Sequence, residues 1–176
     1  MSLRASVGVG ARWRLGLLAA VLLPGCGFRL QGHTPLPESI RTAYVEATDQ
    51  QTDFVQSLRK ALLTSGARPP AAKEQASAVV SILKDQVTRR TLSVSARNQP
   101  NTYEITYTVR FSVSATTHEG EQASEKELLP AQDVAATRSY SFNESLVLAK
   151  EHEEAILRQA MAQDLAAIVM RQLSSL

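Results

Sequence analysis

The stretch Thr102–Ala115, "TYEITYTVRFSVSA", decides the fold. Tyr103, Ile105, Tyr107, Val109, Phe111, Val113 and Ala115 alternate with Glu104, Thr106, Thr108, Arg110, Ser112 and Ser114. A period of two over such a length specifies a long strand with one buried face and one polar face. Asn98-Gln99-Pro100-Asn101 before it is a turn signal. Upstream of that turn, roughly Ser77–Val94 reads as a second strand. Ala78, Val80 and Ile82 alternate there, and the pattern weakens around Lys84 and Asp85, which predicts a bulge or a sheet edge. Downstream, His118-Glu119-Gly120-Glu121 reads as a turn. A third long strand follows over about Glu127–Phe142, with Val134, Ala136, Tyr140 and Phe142. The three together read as an antiparallel meander.

A four-stranded sheet needs one more strand, and about Arg41–Ala47, with Tyr44 and Val45, supplies it. Thr52 or Asp53 caps an amphipathic helix running to about Ser65, with Phe54, Leu58, Ala61, Leu62 and Ser65 on one face. Gly66 stops it and Pro69-Pro70 make a linker. From Asn143 onward there is no Gly or Pro. Asn143 or Ser145 caps a long helix there. Its apolar stripe is Leu157, Met161, Leu165, Ile168 and Leu173, and Lys150, Glu151, Glu153, Glu154 and Arg158 mark its polar side. The order β-α-β-β-β-α gives an α+β, two-layer sandwich: two helices packed on a four-stranded, mostly antiparallel sheet. A length of 176 residues suits one such domain, placed at residues 38–176.

The N-terminus is of another kind. Arg4, Arg12 and Arg14 precede an apolar run, Leu15–Leu23, and no acid does. Nine helical residues span roughly 14 Å, far short of the ~30 Å hydrocarbon core, so a secretory signal fits better than a spanning helix. Taking those three arginines from the 19 Lys and Arg, against 17 Asp and Glu, moves formal charge from +2 to about −1. Nucleic acid is therefore not an expected partner. Leu23-Pro24-Gly25-Cys26 ends the run and resembles a bacterial lipobox, in which the cysteine is acylated and becomes the first residue of the mature chain. Several acyl chains make a stable anchor where one would be marginal. Residues 1–25 are thus read as a lipoprotein signal peptide and residues 26–37 as a lipidated N-terminus and tether. Gly27 in place of Asp points, by the same resemblance, to the outer membrane.

Catalytic chemistry is not indicated. His33, His118 and His152 fall in a tether, a turn and a charged helix face, and none has ligand spacing such as H-E-x-x-H. Neither G-x-S-x-G nor a phosphate-cradling glycine loop occurs, and Cys26 is the sole cysteine. Glu121, Glu125 and Glu127 form a solvated acidic hairpin. No enzyme, metal or cofactor is expected. Arg89, Arg90 and Arg97, with Lys84 further back, collect near the meander's turn. They read either as a solvated strand end or as an anion site, because guanidinium forks bind phosphate in bidentate fashion.

Three segments carry a resemblance: "CGFRLQG" at Cys26–Gly32, "ARNQPNTYEITYTV" at Ala96–Val109, and "RSYSFNESLVLAKEHEEAIL" at Arg138–Leu157. In order and spacing they resemble the LptE family of lipopolysaccharide-assembly lipoproteins. The resemblance implies an outer-membrane lipoprotein, anchored through Cys26, with its domain within a barrel lumen or on the periplasmic side. It would plug an LptD β-barrel one-to-one, help that barrel assemble, and bind lipopolysaccharide on its way to the cell surface. Mapped by motif, the lipopolysaccharide-binding residues would be Arg97 and Lys150, with Arg90 beside them. Glu104, Thr106, Thr108 and Arg110 would then face lumen residues. The alternative is a free-standing periplasmic ligand-binding lipoprotein of the outer membrane, without a barrel partner.

Overall fold

The computed structural model describes residues 36–119, 122–141 and 147–176, with the side chains of 117–119, 122–124 and 147–151 outside the description. Strands β1 (Ala43–Ala47), β2 (Ala78–Val94), β3 (Pro100–Glu119) and β4 (Gln122–Ser141) form one sheet in the order β1-β2-β3-β4. Helices α1 (Asp53–Thr64) and α2 (Val147–Leu173) pack on each other and on one face of it. The predicted α+β sandwich and its element order are therefore correct. β1 runs parallel to β2, because α1 intervenes as a crossover, and the other pairs are antiparallel.

Local chemistry sets the boundaries of α1. The Thr52 hydroxyl accepts from the Val55 N–H at 3.2 Å, satisfying a donor that the first turn leaves free. At the other end, Gly66 takes φ +86, the Gly66 N–H donates to the Leu63 carbonyl, and the Ala67 N–H donates to that of Leu62. This is a Schellman close, and only glycine enters it without a Cβ penalty. Phe54, Val55, Leu58 and Leu62 form the buried stripe. They meet Val45 of β1, Val80 of β2, and Ile105, Tyr107, Val109, Phe111 and Val113 of β3 in one core. The inward half of the opening stretch is thus the centre of the molecule.

The sheet changes phase at one level. Ile82 faces Phe111 and Lys84 faces Arg110, so Leu83 is an extra, unpaired residue in β2. At the same level β4 is also irregular, between Gln132 and Leu129, where Pro130 sits on the sheet's edge. The predicted weakening near Lys84 is this bulge. Beyond it the helix-facing positions of β2 are Asp85, Val87 and Arg89, with Asp85 bonded to the cap of α1 and Arg89 to α2. The sequence placed the last turn at His118–Glu121, but β3 runs on to Glu119 and β4 starts at Gln122, five residues earlier than expected. Cross-strand pairing as far as Glu119↔Gln122 holds both residues in strand conformation despite their polarity. Phe142, the caps at Asn143 and Ser145, and the N-terminal residues 1–35 lie outside the described residues.

Candidate functional site

The basic residues near the meander's turn are divided between the two faces of the sheet. Arg89 and Arg90 are adjacent in an extended strand, so they point to opposite sides. Arg90 lies on the outer face, 71% exposed, and its Nε donates to Glu104 Oε1 at 2.6 Å. Hydrogen bonding to that carboxylate, and its charge, push the guanidinium further up. Arg97 sits in the β2–β3 turn. The Asn98 N–H donates to the Ser95 carbonyl at 2.9 Å and the Ser95 N–H to that of Gln99 at 2.7 Å, with Asn98 in the left-handed region at φ 60. Arg97 is exposed and makes no ion pair among the described residues. Lys150 belongs by its backbone to the first turn of α2. That turn follows the end of β4, whose Ser141 pairs with Thr102 beside the same hairpin. One turn further along α2, Glu154 meets Arg89 and Tyr140, while the Lys150 side chain and all of Cys26 lie outside the described residues.

Arg89 is engaged differently. One of its terminal nitrogens donates to Glu154 Oε2 on α2 at 3.0 Å, and the guanidinium carbon lies 5.0 Å from the centre of the Tyr103 ring. The Tyr103 and Tyr140 rings lie 5.8 Å apart, and the Tyr140 hydroxyl donates to the same Glu154 oxygen at 2.7 Å. Burial alone would raise the Glu154 carboxyl. Hydrogen bonds from Tyr140 and Arg89, with the charges of Arg89 and Arg158, outweigh it and hold that carboxyl below its ordinary value. Tyr140 is pushed up to about 12, by burial first and then by its bond to Glu154. Sequence reasoning missed this cluster. It had assigned Tyr103 to the buried face of its strand, Tyr140 to the third long strand and Glu154 to a polar helix face. The available signal was the two-residue spacing from Asp85 through Val87 to Arg89, which aims a cation at the helix layer.

Next to this cluster is a cleft of about 330 Å³ lined by Gln51, Thr52, Asp53, Asp85, Tyr107 and Arg158, among others. Its polar groups bond to one another. Thr52 donates to Asp85 Oδ2 at 2.5 Å, the Arg158 Nε donates to Asp53 Oδ2 at 2.7 Å, and the Tyr107 hydroxyl accepts from the Phe54 N–H at 3.2 Å. Burial, then the neighbouring Asp85, push the Tyr107 phenol up, so it stays protonated. The cleft therefore presents bonded carboxylates and a neutral phenol in place of a free nucleophile or base. No group of three potential metal ligands occurs among the described residues. None of their helices is long and apolar enough to cross a membrane.

Comparison with known proteins agrees with this architecture. Residues 40–173 match the family model described as LptE, Lipopolysaccharide-assembly. The LPS-assembly lipoprotein LptE of Pectobacterium atrosepticum is 26% identical over 162 residues, covering 89% of this chain and 80% of that protein. Its counterpart in Yersinia pestis strain Pestoides F is also 26% identical, covering 89% of this chain and 72% of its own. Among solved structures, an uncharacterized lipoprotein B from Nitrosomonas europaea superposes with TM-score 0.66 at 25% identity, covering 85% of this chain and 91% of that one. A rare lipoprotein B from Shewanella oneidensis shares the fold, with TM-score 0.61 at 21% identity, covering 76% of this chain and 93% of the other. The match to the family model takes in both helices, all four strands and the turn that carries Arg97. The chain belongs to the LptE family of lipopolysaccharide-assembly proteins.

Proposed function

We propose that the protein is an outer-membrane lipoprotein, anchored through acyl chains on Cys26, that plugs an LptD β-barrel and helps it assemble. In the same reading it binds lipopolysaccharide during delivery to the cell surface, through Arg97, Lys150 and Arg90. Membership of the family carries the general role in lipopolysaccharide assembly, and the match over residues 40–173 is the observation that carries the finer reading. The architecture fits it. The outer sheet face carries Thr106, Thr108, Thr137 and Ser139, with Thr106 paired to Thr137 and their hydroxyls 3.2 Å apart. A hydroxyl-rich face of this kind suits contact with the polar lumen of a wide barrel. Arg97 offers an exposed fork at the hairpin tip, while an anion at Arg90 would share it with Glu104.

The test is affinity purification of the mature protein from detergent-solubilised outer membranes, followed by mass spectrometry. A large β-barrel in about equal amount is the expected result. An acylated, folded protein with no barrel would overturn the plug reading in favour of a free-standing binding lipoprotein. Cys26→Ala should move the protein from the membrane to the soluble periplasmic fraction.

A further inference from the structure

By its packing, α2 is two half-helices. From Met161 onward it puts Met161, Ala162, Leu165, Ala166, Val169 and Leu173 into the core. Over residues 152–160 no side chain is buried, and Ile156 is 54% exposed. Leu157 makes a partial apolar contact there. Among the described side chains, its polar contacts include Glu154 to Arg89 and Tyr140, and Arg158 to Asp53. Burial of apolar area resists salt, whereas partly exposed ion pairs are screened by it and yield to competing ions. The same helix thus has one end fixed by the core and one end fixed by exchangeable contacts.

Beneath that exchangeable half is a formed recognition surface. Arg89 and Tyr140 converge as donors on a single oxygen, Glu154 Oε2, at 3.0 and 2.7 Å. The guanidinium rests on the Tyr103 ring, which fixes its direction. Tyr140 is 8% exposed, so its hydroxyl needs an acceptor. Two fixed donors on one oxygen, with a cation among them, are what a phosphate oxygen accepts. A glutamate carboxylate is the closest side-chain substitute for it.

We infer that residues 152–160 of α2 are a lid latched by ion pairs, and that Glu154 masks a phosphate-binding position formed by Arg89 and Tyr140. The ligand class is a phosphate monoester on a lipid headgroup, an assignment that rests on the lipopolysaccharide reading above. Arg97 at the hairpin tip lies at the same end of the sheet, so a phosphate held first there could pass to Arg89 as Glu154 gives way. Arg158 lies one turn further along the lid, and its bond to Asp53 would be the second latch to open.

The test uses the mature full chain as wild type, Glu154→Gln, Glu154→Gln with Arg89→Gln, and Asp164→Asn. The last removes one negative charge from the core-bound half of α2, where Asp164 pairs with Arg138 at 2.9 Å, and so controls for net charge. Hydrogen exchange should be about 10- to 100-fold faster in residues 152–160 than in 161–173, and Glu154→Gln should speed only the former. Uniform exchange along α2 would overturn the lid. Binding is read on vesicles carrying diphosphorylated lipid A and on vesicles carrying the dephosphorylated lipid. Glu154→Gln should bind the phosphorylated vesicles about three- to tenfold tighter than wild type, and Arg89→Gln should remove that gain. Wild-type binding with no gain in Glu154→Gln sinks the mask and leaves the lipopolysaccharide reading standing. An equal gain in Asp164→Asn, or on dephosphorylated vesicles, also sinks it, because surface charge would then explain the change. Absence of binding by every variant would overturn both readings.

Discussion

Thr52 bridges two elements with one hydroxyl, and its removal should cost more than a helix cap alone. The oxygen accepts from the Val55 N–H at 3.2 Å and its proton goes to Asp85 Oδ2 at 2.5 Å. Thr52→Ala loses the cap, worth about 1 kcal/mol. It also takes a donor from the Asp85 carboxylate, and for a part-exposed bond of this kind another ~1 kcal/mol is reasonable. The sum is about 2 kcal/mol, which for a domain of this size lowers Tm by about 6–10 °C. Thr52→Ser keeps both bonds and should stay within about 0.5 kcal/mol of wild type. Urea denaturation of the mature chain, with Asp85→Asn as the second arm of a double-mutant cycle, measures both contributions. Equal losses in Ala and Ser would mean that the methyl group, and not the bridge, carries the effect. A loss under about 0.5 kcal/mol in Ala would refute the bridging argument outright.

Other consequences are as specific. Glu154 titrates below its ordinary value in the folded chain, so its contribution is full above the unfolded pKa and disappears as pH falls through the lower folded one. Urea midpoints measured from pH 6 down to pH 3 should therefore fall less steeply for Glu154→Gln than for wild type. Phe111→Ala empties the centre of the core at the level where the sheet bends, and should cost about 3–5 kcal/mol in the same assay. Arg97→Asp reverses an exposed charge with no ion pair among the described residues. It should leave Tm within about 2 °C while weakening binding to lipopolysaccharide vesicles several-fold. An unchanged affinity would remove Arg97 from the binding surface.

The sandwich was readable from periodicity because its elements obey single-element rules. The alternation from Tyr103 to Ala115 names the buried face of β3 residue by residue, and Ile105, Tyr107, Val109, Phe111 and Val113 are all buried. Thr52 and Gly66 bound α1 for reasons confined to a few neighbouring residues. Two kinds of feature were not readable. Val55 is buried although it falls off the expected stripe, because α1 is covered by α2 as well as by the sheet. The network of Arg89, Tyr103, Tyr140 and Glu154 joins three strands to a helix up to 65 positions away in the chain. No local pattern encodes which carboxylate an arginine will meet across such a distance. The basic cluster was visible as composition, but its division between two faces depends on the phase of β2, which a bulge resets.

That bulge gives residue 83 an unusual kind of importance. Leu83 is exposed, so its side chain is nearly free to vary. Its place outside the ladder is not. Were Leu83 to pair in the ladder, every later position of β2 would shift by one, carrying Lys84, Gln86, Thr88 and Arg90 under the helices and turning Asp85, Val87 and Arg89 outward. Thr52 and Glu154 would each lose a partner at once, and Lys84 would fall against Val109. Deleting Leu83 would remove the bulge and leave the present pairing of β2 with β3 in place. Within this strand, position 83 works as a spacer: whether it is stepped out or paired decides which residues face the helices, and its side chain decides little.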